Sequence, residues 1–518
     1  MLFNSFSFIL FFLPVTLLGF YFIGKRYNHR LGIYWLVGAS LFFYGWWNPV
    51  YLCLLLTSIL LNYAVGVLLG AKPSKPILFL GISGNLGLIG YFKYANFFID
   101  NINVVFQSDI ILRQIVLPLG ISFFIFQQIS FLIDTYRGET KRLNLLHYSL
   151  FVSFFPKLIA GPIVQCKEML PQFVRNTLHK NISEYFAIGL TFFFIGLFKK
   201  AIIADGIAIH ATPVFNAAEQ GIALTFFEAW GGALAYSLQL YFDFSGYSEM
   251  AFGIASMFGI VLPINFDSPY KAVNIADFWR RWHMTLSRFL KNYLYIPLGG
   301  NKKGTTRHYL NLMITMLIGG LWHGAGWSFV LWGGLHGVYL CISHMWGRMK
   351  KKIFKTKNQP SNRYSRTAGR LLTFFAVAIA WVLFRSESIE GARNMYHGML
   401  GMNGFSLPTQ LDFMIDALRS FFPDTYIVAH GLRSFGYVRG VFKLFLLLII
   451  VWIMPNTYDL MKSGGTSLNL ELLNYRTSLI IHWKEWHPST TWAFTIGMIA
   501  LLSLLSLTHV SEFLYFQF

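Results

Sequence analysis

The chain has 518 residues, of which 55% are hydrophobic, 18% aromatic and only 12% charged, and its formal net charge is +20. The charged fraction is about half that of an ordinary soluble domain, so the composition excludes a soluble globular protein. The positive charge is clustered in loops and does not follow one face of a domain, so no nucleic-acid partner is expected.

Long uncharged runs recur along nearly the whole chain, and a run of about 17 to 25 residues can cross roughly 30 Å of hydrocarbon as a helix. These runs predict an all-α polytopic membrane protein with about 11 to 13 transmembrane helices, accompanied by re-entrant and interfacial helices. In chain order, the candidate spans are Met1 to Gly24, two within Leu31 to Ala71, Pro76 to Phe92, Gln114 to Ile133, part of Leu146 to Val164, Tyr185 to Phe198, Leu224 to Phe242, Met250 to Pro263, two within Tyr309 to Ser343, Leu371 to Phe384, Leu444 to Met454 and Thr491 to Leu507.

The first part of the chain indicates its orientation in the membrane. Asn48-Pro49 divides the long apolar run Leu31 to Ala71 into a helical hairpin with a WWNP turn at the outer interface. Basic clusters at Lys25 to Arg30 and Lys72 to Lys75 flank the hairpin, which favours the cytoplasm for both of its ends. We interpret the preceding run as a retained span and not as a secretory signal, because no basic segment introduces it. The N-terminus is therefore predicted to be outside.

Two segments differ from plain spans. Val116 to Gly138 carries Pro118, Gly120 and two glutamines within apolar sequence, so it is predicted to be broken or re-entrant. Ala276 to Gly300 is too charged to span and, at about 100° per residue, has one apolar face and one basic face. This pattern predicts an amphipathic helix at the membrane interface. His283 falls at the edge of the apolar arc and is predicted to point toward the protein interior or the membrane.

Polar residues inside apolar sequence are costly in a membrane protein unless they are paired, so they mark candidate sites. Gln239 and Asp243 lie in QLYFDFSGYSEMAFG, and two histidines lie in GGLWHGAGWSFVLWGGLHG. Those histidines are 13 residues apart, and on one straight helix they would point about 140° away from each other. The glycines after His323 offer a break, so His323 is predicted to end one helix and His336 to belong to the next. The alternative for each is a core histidine bonded to a carbonyl, with the glycines serving helix packing.

The spacing of histidines and cysteines argues against a metal site. None of the 14 histidines forms an HxxxH or HxxH pair, and Cys53, Cys166 and Cys341 form no CxxC pair. A nucleophilic serine triad is poorly indicated because no GxSxG is present. With a metal site and a serine triad disfavoured, the histidines are best suited to acid and base catalysis as neutral imidazoles. No permanently bound cofactor is expected.

Six motifs carry a family resemblance. They are GYFKYANFF (Gly90 to Phe98), LPLGISFFIFQQISFLIDTYRG (Leu117 to Gly138), FFPKLIAGPIV (Phe154 to Val164), QLYFDFSGYSEMAFG (Gln239 to Gly253), DFWRRWHMTLSRFLKNYLYIPLGGN (Asp277 to Asn301) and GGLWHG (Gly319 to Gly324). With these motifs the sequence resembles the membrane-bound O-acyltransferases of the bacterial alginate O-acetyltransferase (AlgI-like) branch. The motifs cover a core of roughly residues 1 to 400. Residues 401 to 518 are expected to add C-terminal transmembrane helices continuous with the core, and the polar intervals Ser386 to Arg439 and Asn456 to Glu485 to form loops or surface helices.

The resemblance implies an O-acetyltransferase of the bacterial cytoplasmic (inner) membrane, with a central tunnel. It implies that His323 is the essential catalytic residue and that His283 is its companion near the tunnel centre. An acetyl group would pass from a cytoplasmic thioester, acetyl-coenzyme A or a carrier protein, toward the outer face. A separate periplasmic or extracellular acetyltransferase would usually complete delivery to an exopolysaccharide such as alginate.

Acyl transfer from a thioester to a hydroxyl needs a base and donors for the carbonyl oxyanion, which suits the polar residues of these motifs. We interpret His323 as the general base, with a covalent acyl-histidine as the alternative. His283, Asn292 or Tyr293 would orient the thioester or stabilise the oxyanion. The weaker candidates for contact with donor or substrate are Asp243, Gln239, Arg280, Arg281 and His336. The arginines would meet the phosphates of the donor, or alternatively anionic membrane lipid.

The sequence also allows other acyl acceptors than an exopolysaccharide, and one function without catalysis. Within the enzyme class, the alternatives are acetylation of peptidoglycan or cellulose and D-alanylation of teichoic acid; a lipid-acylating enzyme is less favoured by the motifs. A transporter would also place polar residues in spans, but it predicts a substrate flux that survives removal of the His323 imidazole.

Overall fold

A computed structural model describes residues 1–111, 115–140, 144–176, 178, 181–354, 362–406, 427–428, 438–461, 486–507 and 513–514. Within these residues the regular structure is helical apart from one parallel pair of two-residue strands, β1 (Phe405–Ser406) and β2 (Ile427–Val428). The predicted all-α fold is confirmed. Most of the two polar intervals predicted in the C-terminal part lies outside the described residues.

The described residues contain 21 α-helices. They are α1 (Leu13–Arg26), α2 (His29–Gly45), α3 (Pro49–Ala71), α4 (Lys75–Ile89), α5 (Ala95–Phe106), α6 (Ile121–Tyr136), α7 (Leu145–Ser153), α8 (Phe155–Leu158), α9 (Cys166–Val174), α10 (Ile182–Phe198), α11 (Asp205–Glu219), α12 (Phe226–Met257), α13 (Ile275–Trp279), α14 (Met284–Leu290), α15 (Thr305–His323), α16 (Trp327–Phe354), α17 (Arg363–Arg385), α18 (Ile389–Met399), α19 (Val438–Ile453), α20 (Thr457–Met461) and α21 (Thr490–Leu505). Short π-helical turns occupy Ser7–Phe12, Gly90–Tyr94, Lys199–Ala204 and Lys291–Tyr295, and Pro269–Lys271 forms a 3-10 turn.

The chain forms two compact units that interleave along the sequence. The first comprises Met1–Phe198, Ser245–Asn265 and Thr457–Phe518, and the second comprises Lys199–Phe244 and Phe266–Asn456. Helix α12 contributes residues to both units. The division of the sequence near residue 400 stays a prediction.

Among the described residues, five helical stretches are long and apolar enough to cross a membrane. They are Ser7–Arg26, Pro49–Ala71, Lys75–Phe106, Ile182–Glu219 and Arg363–Arg385, and two shorter apolar helices occupy Gly440–Ile453 and Thr490–Leu505. Their outer faces expose large apolar side chains, such as Phe22 at 69% and Leu61 at 62%, which suit a lipid environment. The protein is a multi-pass membrane protein. The number of crossings and the tunnel stay predictions.

The hairpin predicted from Asn48-Pro49 is confirmed. Helix α2 ends at Gly45 and α3 begins at Pro49. Proline at the first helical position lacks the N–H that a helix start leaves unpaired, and the Asn48 side chain accepts a hydrogen bond from the Val50 N–H at 2.9 Å. A local sequence signal therefore determined both the break and the new helix start.

Two predicted spans, Leu224 to Phe242 and Met250 to Pro263, are parts of one helix, α12. The polar residues between them suggested a connection at the surface, but Asp243, Ser245 and Glu249 are each at most 3% exposed. Because these polar side chains are buried inside the protein, the segment that carries them does not have to form a loop at the surface, and it continues as helix. The prediction of two spans was wrong.

The segment Val116 to Gly138 is broken only at its start. Gly120 has a φ of +70°, a conformation that favours glycine, and α6 then continues without interruption from Ile121. The two glutamines do not break the helix because both are bonded: Lys157 Nζ donates to Gln127 Oε1 at 2.6 Å, and Ser58 Oγ donates to Gln128 Oε1 at 2.7 Å. The predicted break is therefore found at Gly120 and not at the glutamines, and the re-entrant path stays a prediction.

The amphipathic helix predicted over Ala276 to Gly300 is interrupted. Helix α13 ends at Trp279, α14 begins at Met284, and His283 between them has φ +42° and ψ +53°. A residue in this left-handed region ends a right-handed helix. The periodicity of apolar residues did not show the break because Trp282 and His283 are both buried, at 3% and 1% exposure.

Candidate active site

His323 is the last residue of α15, as predicted. Gly324, which follows it, is extended with φ −159° and ψ +151°, and α16 begins three residues later at Trp327. His323 is 5% exposed, so its imidazole sits at a helix end and inside the protein. The predicted break between the two histidines of this segment is therefore confirmed.

Two glycines hold α15 against α16. The Cα atoms of Gly320 and Gly333 face each other, and a Cβ added at Gly333 would lie 3.1 Å from the Gly320 Cα and overlap the Met316 carbonyl oxygen. Small residues allow helix backbones to approach in this way. The spacing places His323, one turn beyond Gly320, against the start of α16.

The close approach at Gly333 leaves no room for a methyl group, whereas the next residue, Gly334, has room for one. Gly333→Ala must push the helices apart, which we expect to destabilise the protein by about 1 to 3 kcal/mol and to lower activity through displacement of His323. Gly334→Ala places its Cβ 3.5 Å from Leu317 Cδ2, an ordinary contact, and should be nearly neutral. Thermal unfolding and catalytic activity measure the two effects, and equal behaviour of the two variants would contradict the packing account.

The turn before α14 brings His283 to His323. The two ring centroids are 6.4 Å apart, and the ring of Phe244 packs edge-on against His283 at 4.8 Å. Burial lowers the pKa of His283 to about 3, because the interior does not solvate the imidazolium. His283 is therefore a neutral imidazole at physiological pH, and one small reacting group can contact both histidines.

The pKa of His283 predicts an acid sensitivity. In the unfolded chain its pKa is near 6.5 and in the folded chain about 3, so the neutral, buried form stabilises the fold above pH of about 6.5. As the pH falls below that value the stabilisation is lost, by at most about 1.4 kcal/mol per pH unit. We expect His283→Asn, which suits the left-handed backbone, to weaken this dependence in thermal unfolding followed from neutral to acid pH. An unchanged profile in His283→Asn would refute the assignment.

Aromatic rings surround His323. Its ring centroid lies 5.1 Å from both Trp332 and Phe384 and 4.9 Å from Trp322. Such a lining limits the access of bulk water, which strengthens electrostatic interactions at the site and disfavours hydrolysis. Phe384 and Trp332 were not predicted from the sequence, because aromatic residues, 18% of the chain, are too frequent for two of them to stand out.

His336 is separated from His323 by Trp332. The Trp332 ring lies 5.1 Å from His323 and 4.9 Å from His336, and Trp279 Nε1 donates to His336 Nδ1 at 3.3 Å. Because the indole N–H only donates, Nδ1 must accept, and a neutral His336 carries its proton on Nε2. His336 is fully buried and belongs to the next helix as predicted. Its contacts are those of a packing residue behind the histidine pair.

Asp243 is part of a buried ion pair. Lys200 Nζ lies 2.8 Å from Asp243 Oδ1 and 2.9 Å from Asp205 Oδ1, and the side chains of Lys200 and Asp243 are only 2% and 3% exposed. Gln239 lies one turn earlier on α12 and is also buried. Lys200 was not predicted from the sequence. A lysine beside the apolar run of α10 indicates a buried cation, but its position along the chain does not identify Asp243 as the partner.

The two arginines after α13 differ in their surroundings. Arg281 is 20% exposed and is already paired, with its guanidinium 3.4 Å from Asp267 and 3.2 Å from Asp277. Arg280 is 70% exposed and has a looser contact to Asp277 at 3.6 Å. Of the two, only Arg280 presents its guanidinium to a ligand outside the protein.

Asn292 and Tyr293 lie in the π-helical turn Lys291–Tyr295 and are half-buried. The ring of Tyr293 packs on Phe289 at 4.9 Å. The structure therefore places them after α14, on the segment that begins with His283. Within the described part of the chain, no three His, Cys, Asp or Glu side chains are grouped to hold a metal ion.

Comparison with known proteins places this geometry in a family. Residues 102–384, which include both histidines of the pair, match the model of the membrane-bound O-acyltransferase family. The chain belongs to this family. The acyltransferase is 43% identical over 497 residues to the peptidoglycan O-acetyltransferase of Helicobacter pylori, an alignment that covers 90% of this chain and 91% of that protein.

Two further relatives are named for other acceptor polymers. The acyltransferase is 37% identical to the probable alginate O-acetylase AlgI of Pseudomonas putida, over the full length of both chains. It is 29% identical to the teichoic acid D-alanyltransferase of Bacillus subtilis over 52% of this chain and 69% of that protein. The protein is an O-acyltransferase, as the sequence motifs predicted.

Proposed function

We propose that this acyltransferase O-acetylates an exopolysaccharide of the alginate type, taking the acetyl group from a cytoplasmic thioester and passing it across the bacterial inner membrane. The observation that carries the proposal is the buried pair of His283 and His323, whose rings lie 6.4 Å apart. The full-length similarity to one probable alginate O-acetylase supports the acceptor class. A periplasmic or extracellular transferase would complete delivery to the polymer, and the N-terminus would lie outside.

The proposed chemistry starts with His323 as general base. An imidazole nitrogen of His323 takes the proton of the acceptor hydroxyl while the hydroxyl oxygen bonds to the thioester carbonyl carbon. The C–S bond then breaks, and the leaving thiolate takes the proton back from the imidazolium. Coenzyme A or a carrier protein would supply the thioester.

His283 would stabilise the charge that develops on the carbonyl oxygen. A neutral imidazole keeps one N–H, which can donate to an oxyanion without repelling the imidazolium that forms on His323. The low pKa of His283 fits this role because it prevents both rings from being charged at once. Asn292 and Tyr293, which follow on the same segment, would help to orient the thioester.

Peptidoglycan is the second candidate acceptor, favoured by the 43% identity to the Helicobacter pylori enzyme. The two acceptors are separated by measuring ester-linked acetate on secreted polysaccharide and on muramic acid, in cells that lack the gene and in cells complemented with it. We expect the secreted polymer to lose its acetate. A loss confined to peptidoglycan would replace the proposed acceptor, and substrate flux without any acetyl transfer would favour a transporter.

A further inference from the structure

The end of α16 forms one wall of a surface pocket in the second compact unit. The pocket has a volume of about 600 Å³ and opens between this helix end and the segment around α13. Its lining consists of Asn274, Ala276, Arg280, Ser343, His344, Trp346, Gly347 and Arg348. Two arginines and one histidine therefore face a single space, and the described lining contains no carboxylate.

Neighbouring contacts hold the basic groups in place. The guanidinium of Arg348 lies over the ring of Tyr309 at 5.2 Å, and the ring of His344 packs edge-on against His308 at 5.2 Å. His308 is fixed in turn by Tyr295, whose hydroxyl lies 2.7 Å from its Nδ1. Burial lowers the pKa of His344, and the charges of Arg348 and Arg280 lower it further. His344 therefore contributes a neutral N–H donor beside the two charged guanidinium groups.

The charge in the pocket is only partly compensated. The nearest carboxylate contact of Arg280 is Asp277 at 3.6 Å, and Asp277 also pairs with Arg281 at 3.2 Å. Arginine presents planar N–H groups that match a phosphate in two-point hydrogen bonds, and Ser343 and Asn274 add neutral polar groups. The arrangement therefore suits an oxyanion such as phosphate better than a monatomic anion such as chloride.

The same helix end also exposes an apolar stripe. Ile342, Met345, Trp346 and Met349 follow a helical spacing and are 57%, 49%, 62% and 49% exposed. The pocket therefore begins where exposed apolar side chains give way to basic ones, a sequence of surfaces typical of the headgroup level of a membrane.

We propose that this pocket binds the phosphate group of a ligand at the membrane surface, with Arg280, Arg348 and His344 as the binding residues. Two sources supply this chemistry: the headgroup of an anionic phospholipid, and the phosphates of a soluble thioester donor. The second source rests on the function proposed above, whereas the first does not.

Direct binding to the full-length protein in detergent tests the proposal. Phosphatidylglycerol is titrated in native mass spectrometry and coenzyme A in calorimetry, with wild type, Arg280→Gln/Arg348→Gln and a control that removes the same charge at exposed sites, Lys302→Gln/Lys303→Gln. We expect the arginine variant to bind one of the two ligands at least about tenfold more weakly and the lysine control to stay within about twofold. Loss for phosphatidylglycerol alone assigns the site to lipid, and loss for coenzyme A alone assigns it to the donor.

Equal binding of both ligands by all three proteins would overturn the proposal. If the arginine variant does not fold, Arg280→Lys/Arg348→Lys retains the charge but loses the two-point geometry, and it should bind several-fold more weakly; wild-type affinity in that variant would equally refute the site. His323→Ala leaves the pocket intact and should bind like wild type, so failure of acetyl transfer and failure of phosphate binding are measured separately.

Discussion

His323→Ala is expected to lower acetyl transfer by about a hundredfold to ten-thousandfold, with the protein still present in the membrane. The imidazole is the group that would take the acceptor proton, and its position at the end of α15 is fixed by the Gly320 and Gly333 contact, which alanine does not disturb. The measurement is ester-linked acetate per unit of polymer, normalised to the amount of membrane-bound protein.

The control for this prediction is His487→Ala, which removes an exposed imidazole from the first compact unit. It should acetylate like wild type. Wild-type acetylation in His323→Ala would remove this residue from the reaction. A covalent acyl-histidine predicts in addition that the intact enzyme retains labelled acetate after denaturation, whereas a general base predicts no such label.

Lys200→Met is expected to destabilise the protein by about 3 to 5 kcal/mol, because it leaves Asp243 charged and buried without the lysine that lies 2.8 Å away. Lys200→Met/Asp243→Asn removes both fully buried charges and should recover most of the loss, since the carboxylate that stays, Asp205, is 29% exposed and can be hydrated. Thermal unfolding of the single and double variants in detergent gives the coupling between the two residues.

The same variants decide the role of Asp243. If the pair only holds the helices of the second unit together, acetylation returns in the double variant along with stability. Recovered stability without acetylation would assign Asp243 to the donor or acceptor, the role that the sequence motif suggested. Absence of coupling would show that the ion pair does not contribute to stability.

The sequence by itself determined the features that depend on short-range chemistry. The apolar runs required helices in lipid, Asn48-Pro49 required a helix start, and the glycines after His323 separated it from His336. Each of these follows from one property of a residue: the missing N–H of proline, the small size of glycine, or the cost of placing a charge in hydrocarbon. The motifs also contained both histidines of the candidate site.

Only the tertiary structure decided how distant segments satisfy one another. The left-handed turn at His283 interrupts a pattern that reads as one amphipathic helix, because burial of Trp282 and His283 outweighs helical periodicity. Asp243 stays in a continuous α12 because Lys200 pairs with it, and a single sequence does not contain that pairing in any local pattern. The pocket at Arg280 and Arg348 likewise joins residues nearly seventy positions apart, which the fold alone brings to one space.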